Sequence, residues 1–259
     1  MNAIVDAWAW LTTSDHWSGR GGIWQRLTEH LELTGLCLLI SAALALPLAC
    51  WLGHGGGRRF GGALAINISN AGRAVPTFAV LVLLTISPVG EHGEAPTVIA
   101  LVLFGVPPLL TNAYVGVAEA DRDVVEAARG MGMSPFQLLF RVELPLAYPL
   151  LMTGLRTAAV QLVATASLAA LAGGGGLGRV ITAGFDTNDT AQVFAGAVLV
   201  AGLALLVEGA LALLQRLADP HRRPTGDRPT PDDAGRPHDD ERPTAAHRQA
   251  LTTPEMETT

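Results

Sequence analysis

Long runs of apolar residues with almost no charge constrain this chain more than any other feature of its sequence. Segments 33–52 and 95–118 contain no charged residue, and segments 145–172 and 190–215 contain one each, Arg156 and Glu208. An α-helix rises 1.5 Å per residue, so about 20 apolar residues cross the hydrocarbon core of a bilayer, which is ~30 Å thick. The pattern predicts an all-α protein that crosses a membrane several times.

A fifth candidate span lies within segment 60–90, whose only charge is Arg73. The first half of this segment contains Asn67, Ser69 and Asn70, which is typical of an interfacial or pore-lining lead-in to the apolar run that follows. Hydrophobic residues make up 49% of the chain and charged residues only 15%, a balance that indicates a membrane protein. We therefore expect about five transmembrane helices.

The two ends of the chain differ from its centre, so we expect an N-terminal segment at 1–30, a membrane domain at 31–217 and a tail at 218–259. The N-terminal segment holds four tryptophans, as expected at a membrane interface: Trp8, Trp10, Trp17 and Trp24. The tail is rich in proline and charge and has no aromatic residue, so it cannot bury enough apolar surface to offset the entropy of ordering. We predict that the tail is disordered.

The arginines of the predicted loops set the expected orientation. The arginines of the first loop, the third loop and the tail lie on one side of the membrane: Arg58, Arg59, Arg122, Arg129, Arg141, Arg216, Arg222 and Arg223. The other side receives Arg20, Arg26 and Arg179. Because basic residues accumulate in cytoplasmic loops, we expect the 119–145 loop and the C-terminus in the cytoplasm and the N-terminus outside.

Several kinds of chemistry are not expected in this chain. It contains no lysine, so the glycine run at 173–178 lacks the residue that a phosphate-binding Walker loop requires. The histidines are scattered, and Cys37 and Cys50 fall in one apolar segment without metal-ligand spacing. We expect no metal, no cofactor, no nucleic-acid partner and no catalytic residue.

The 119–145 loop is predicted to form two short helices with a corner between them. Asp121 and Asp123 suit the N-terminus of the first helix, and Gly132 suits a left-handed stop after it. Ser134 then fits the N-cap of a second helix, with Pro135 at its first position and Gln137 completing a capping box. Two capped helices at a membrane surface indicate either a docking element or a pair of helices that lie on lipid.

The same loop resembles the signature of permease subunits of bacterial ATP-binding-cassette importers, the EAA motif. The residues that carry this resemblance are Glu126, Ala127, Ala128, Gly132, Val142, Leu144 and Pro145. In that family the loop docks on an ATPase subunit, and the resemblance implies the same role here for the motif residues with Ser134 and Pro135. It also implies a bacterial cell membrane, an extracytoplasmic substrate-binding protein and a second permease chain, identical or paralogous.

Five spans with a short third loop are similar to the compact permease fold of methionine importers. Within it, three stretches resemble permeases for glycine betaine, carnitine and choline: 70–76, 107–114 and 175–184. The resemblance therefore implies a quaternary-ammonium osmoprotectant as substrate. A methionine-type or other compact importer is the alternative.

Candidate residues of the translocation path are Arg73, Pro76, Asn112, Tyr114, Arg156 and Glu208. Arg73 either extends to the cytoplasmic surface or faces the path, and the prolines either serve gating or only packing. A carboxylate such as Glu208 inside a span seeks an arginine, and Arg156 is the candidate partner. The rival functions are an ion-coupled secondary transporter and a membrane anchor without transport. A secondary transporter would be expected to have paired carboxylates or broken repeats in its spans.

Overall fold

Helices make up most of the chain that the computed structural model describes, which is residues 3–54, 66–67 and 76–218. Within those ranges there is no β-strand, in agreement with the predicted all-α fold. The α-helices are α1 (Ala3–Thr12), α2 (Ile23–Gly53), α3 (Thr77–Ile86), α4 (Ala95–Ala118), α5 (Arg122–Gly130), α6 (Pro135–Leu138), α7 (Leu144–Ala166), α8 (Gly178–Asp186) and α9 (Thr190–Ala218).

Four helical stretches are long and apolar enough to cross a membrane. They are α2, α4, the continuous stretch Pro135–Ala172 and α9. These stretches confirm four of the predicted spans. The fifth, at 60–90, is described only in part: α3 has 10 residues, about 15 Å of helix, which is half of the hydrocarbon core. Arg73 and Asn70 lie outside the described residues.

Helices α2, α4 and α7 form the centre of the molecule. Their contact surfaces are built from small residues, and Ala45, Ala49, Ala113 and Ala158 are all fully buried. Gly105 of α4 lies so close to α2 that a Cβ at that position would come within 2.7 Å of Ser41 Oγ. Small side chains let helix backbones approach closely, which favours van der Waals packing between helices in lipid.

Helix α2 begins at Ile23, ahead of the boundary that the sequence placed at residue 30. Residues 23–30 therefore belong to the long helix, and the N-terminal segment proper ends at Gly22. Helix α1 packs on α9, and Trp10 and Trp17 are partly buried there, whereas Trp8 and Trp24 are exposed. The predicted tail beyond 218 and the arginines at 58 and 59 lie outside the described residues.

Candidate functional site

The first helix of the 119–145 loop starts and stops where the sequence predicts. The Asp121 carboxylate accepts hydrogen bonds from the backbone N–H groups of Asp123 (3.0 Å) and Val124 (3.4 Å). The helix that follows, α5, ends at Gly130, and Gly132 has a φ of +84°. That left-handed conformation turns the chain, as expected for a glycine after a helix.

The capping box predicted at Ser134 is also present. The Ser134 hydroxyl accepts a hydrogen bond from the Gln137 N–H at 3.3 Å, and the Ser134 N–H donates to the Gln137 side-chain oxygen at 3.0 Å. Pro135 is the first residue of α6, where its missing N–H costs no helical hydrogen bond. Both helix starts in the loop are therefore fixed by local contacts.

The second helix does not end before the next span, which corrects the prediction of a separate short helix. Helix α6 continues through a π-helical turn at Leu139–Glu143 into α7. In this turn the N–H of Leu144 bonds to the carbonyl of Leu139. Pro145 has no N–H for the carbonyl four residues earlier, and a wider turn accommodates that loss without ending the helix. The second loop helix is thus continuous with α7.

A small apolar core holds the two loop helices together. Ala120, Val125, Ala128 and Leu138 are buried against one another, with Met133, Val142 and Leu146 around them. Of the motif residues, Ala128 faces this core, Leu144 and Pro145 are half-buried at the start of α7, and Glu126 and Ala127 are exposed. The motif therefore has an inward face that packs against the core of the loop and an outward face that is exposed.

The outward side of the loop carries large apolar side chains. Met131 is 74% exposed, Phe136 71% and Phe140 51%, and the two phenylalanine rings lie 4.4 Å apart. A cluster of exposed apolar residues on otherwise polar helices marks a surface that another molecule covers. This surface can contact either a partner protein or lipid.

Arg156 and Glu208 form the ion pair that the sequence proposed. The Nε atom of Arg156 lies 3.0 Å from Oε1 of Glu208, and its Nη2 atom contacts the same oxygen. The remaining Nη1 atom donates to the side chain of Gln215 at 2.9 Å. The pair joins α7 to α9.

A groove of about 680 Å³ lies beside this pair. Besides Arg156 and Glu208, it is lined by Thr153, Thr157, Val160, Gln161, Ala201, Ala204 and Leu205. The polar residues of α7 that face the groove were missed at the sequence level. Their spacing of three to four residues could have identified them, because it places them on one face of an otherwise apolar helix.

The other candidate path residues do not line this groove. Pro76 is exposed and precedes α3. The Asn112 amide donates to the carbonyl of Pro108 at 2.8 Å where α4 meets α7, and Tyr114 packs beside the core of α2, α4 and α7. Among the described candidates, the structure brings only Arg156 and Glu208 together, and Arg73 lies outside the described residues.

Comparison with known proteins gives consistent matches across the membrane domain. Residues 45–221 match the family of binding-protein-dependent transport system inner membrane components. The choline transport system permease protein OpuBB of Bacillus subtilis (strain 168) is 32% identical, over 77% of this chain and 90% of that protein. The glycine betaine/carnitine/choline transport system permease protein OpuCB of the same organism is 30% identical over the same shares.

Solved structures show the same fold. An inward-facing structure of the MetNI methionine ABC transporter superposes with a TM-score of 0.65 at 22% sequence identity. The match covers 75% of this chain and 95% of that one. The predicted resemblance to the compact fold of methionine importers is therefore confirmed.

Proposed function

This chain belongs to the family of binding-protein-dependent transport system inner membrane components, and we propose that it is the permease subunit of an ATP-driven importer for a quaternary-ammonium osmoprotectant such as glycine betaine, carnitine or choline. The chain itself is a multi-pass membrane protein. Its proposed task is to provide the path for the substrate and to receive the movement of a separate ATPase subunit.

The observation that carries this proposal is the rigid, capped 119–145 loop with its exposed motif face. Two short helices fixed by Asp121 and Ser134 and packed on their own core move as one body. Exposed Glu126, Ala127 and Phe136 offer this body a contact surface. A membrane anchor without transport has no need of a loop that is continuous with a transmembrane helix.

The remaining partners follow from the family and from the charged groove. Arg156 and Glu208 have side chains 31% and 35% exposed. Charged side chains inside spans are costly against lipid, so this face is expected to meet water or protein. We propose that a second permease chain, identical or paralogous, closes the groove into a translocation path. The proposed orientation places the 119–145 loop and the C-terminus in the cytoplasm.

Substrate selection is proposed to take place before the membrane. Recognition of a quaternary ammonium group uses a cage of aromatic rings, but after Phe60 the chain has no tryptophan and only two tyrosines, Tyr114 and Tyr148. An extracytoplasmic binding protein, as the family description implies, would supply that cage and deliver the substrate. The names of the relatives support the quaternary-ammonium class, and methionine is the alternative substrate.

Uptake measurements test the substrate class. A strain lacking this gene should lose binding-protein-dependent uptake of at least one radiolabelled compound among glycine betaine, carnitine and choline, and the restored gene should recover it. Proline and methionine serve as comparison substrates. Loss of methionine uptake alone would support the alternative importer.

The energy source separates the proposed importer from an ion-coupled transporter. Uptake should stop when ATP is depleted and persist when a protonophore collapses the ion gradient while ATP is maintained. The bonding of Glu208 to Arg156 favours the importer, because the carboxylate is already neutralised by a fixed partner. The reverse pattern of inhibition would support ion coupling.

A further inference from the structure

Helix α2 carries a polar contact at each of its two ends, and neither contact belongs to the loop caps or to the groove. The first joins α2 to the π-helical turn of the 119–145 loop. The second joins it to the glycine-rich stretch at 173–178. The 25 residues between Glu29 and His54 correspond to ~37 Å of helix, so these contacts lie on opposite sides of the membrane domain.

At the loop end, Glu143 contacts His54. Glu143 is the last residue of the π-helical turn and is only 2% exposed. His54 directly follows α2, and its Nδ1 atom lies 2.6 Å from Oε2 of Glu143. A carboxylate only accepts, so His54 donates this hydrogen bond. A buried carboxylate depends on its partner, and His54 is the one that the described residues supply.

The surrounding backbone keeps this pair in place. A Cβ on Gly53 would come within 2.9 Å of the Val117 Cβ, so the end of α2 lies directly against the end of α4. A Cβ on Gly116 would likewise come within 3.1 Å of the Ala147 Cβ, so α4 lies directly against the start of α7. The end of α2 is therefore fixed to the root of the 119–145 loop through packing and through one buried polar contact.

At the opposite end, two consecutive residues of α2 hold the glycine-rich stretch. Glu29 accepts the N–H of Gly176 at 2.9 Å, and the Nδ1 atom of the fully buried His30 accepts the N–H of Leu177 at 3.3 Å. The other ring nitrogen of His30 donates to the carbonyl of Val163 at 2.9 Å. Gly176 has a φ of +83°, and a Cβ there would lie 2.9 Å from His30 Nδ1, so this close approach requires glycine.

We propose that α2 transmits the movement of the 119–145 loop across the membrane to the glycine-rich stretch, with Glu143 and His54 as the positioning pair that connects α2 to the loop. This inference rests on the proposed function, because it assigns a route to the movement that the ATPase subunit would impose. The movement would thus have two routes across the membrane. One is α7, into which the second loop helix runs directly, and the other is α2. The glycine-rich stretch moves with α2 as part of the same body.

The first test breaks the Glu143–His54 contact in the complex reconstituted with its ATPase subunit and binding protein. Glu143→Ala, which removes the acceptor, and His54→Ala, which removes the donor, should each lower the amount of substrate transported per ATP hydrolysed by on the order of two- to thirtyfold, the range of coupling through packed networks. His54→Ala leaves the buried Glu143 without its partner and should lower membrane abundance, so the ratio is measured on equal amounts of assembled complex, in which co-purification of the ATPase subunit should remain normal. Glu119→Ala, which removes an exposed carboxylate at the end of α4, is the matched control and should leave this ratio unchanged.

Exchange of the two side chains separates a positioning role from a structural one. His54→Glu and Glu143→His should each uncouple transport when made alone, and the double variant should recover part of the ratio because the contact is restored. Unchanged ratios in all variants at normal abundance would overturn the proposal. Equal loss of abundance and uptake in the single variants, with no change per ATP hydrolysed, would also overturn it.

The second test fixes the opposite end of α2. A Cβ on Gly175 would lie 3.6 Å from the Glu29 Cβ, which is within the range of a disulfide. In a background with Cys37→Ala and Cys50→Ala, the reduced Glu29→Cys/Gly175→Cys variant lacks the Glu29 contact, and oxidation should raise its transport per ATP hydrolysed or leave it unchanged, because the disulfide replaces that contact and coupled elements of one body do not separate. Loss of uptake on oxidation and recovery on reduction would overturn the proposal. A wild-type complex without ATP-dependent uptake would instead reject the proposed function, and this inference with it.

Discussion

Gly132 determines the direction of the 119–145 loop through its backbone conformation alone. Its φ is +84°, and a Cβ added there would meet no atom within 4 Å. Gly130, two residues earlier, also has open space around it but lies in α5 without a positive φ. The two glycines therefore differ in backbone strain and not in packing, which makes one the control for the other.

We expect Gly132→Val to uncouple transport without reducing membrane abundance. A left-handed conformation costs a residue other than glycine about 1–2 kcal/mol, and the corner relieves this strain by changing shape. The second helix would then lose its direction, so co-purification of the ATPase subunit or substrate-stimulated ATP hydrolysis should fall. Gly130→Val should retain both. Normal uptake by Gly132→Val at wild-type abundance would contradict a coupling role for the loop.

At the scale of helices, the Arg156–Glu208 pair is a charged connection between α7 and α9. Arg156→Gln leaves the Glu208 carboxylate without its cation inside the span, and Glu208→Gln leaves Arg156 without its anion. We expect each single variant to lower membrane abundance more than the double variant, because removing one partner is worse than removing both. Immunoblots of membranes measure this order, with Thr153→Val as a control for a groove residue outside the ion pair.

The same comparison also tests the proposed path. The double variant should regain abundance but not uptake, since the groove would have lost its charges. Equal abundance of all three variants would contradict a structural role for the pair, and wild-type uptake by the double variant would remove the groove from the path.

The elements that the sequence predicted correctly are those whose determinants are local. The capping box at Ser134 depends on residues three positions apart, and the spans depend on continuous apolar runs. The Arg156–Glu208 pair was also predictable, because a charge inside an apolar span needs an opposite charge. The π-helical turn was not predictable. Pro145 removes one hydrogen bond, which fits the end of a helix as well as a wider turn, and the packing of the buried Leu138 and Ala147 on either side is not visible in a local pattern.

The contacts at the ends of α2 escaped prediction for a related reason. Glu143 and His54 are separated by 89 residues, and Gly176 and Glu29 by 147. Such pairs are defined by the packing of α2 against α4 and α7, which no local pattern encodes.

For the molecule as a whole, the orientation in the membrane decides which end the ATPase subunit can reach. Helix α4 has 24 residues, about 36 Å, so Glu91 before it and Met131 after it lie on opposite sides of a bilayer. The excess of arginines on the side of Met131 predicts that this side is cytoplasmic. In a background with Cys37→Ala and Cys50→Ala, an impermeant thiol reagent should label Glu91→Cys in intact cells. Met131→Cys, although 74% exposed, should react only after the membrane is opened. Labelling of Met131→Cys in intact cells would put the 119–145 loop outside, where no ATP is available, and would exclude ATPase docking at this loop.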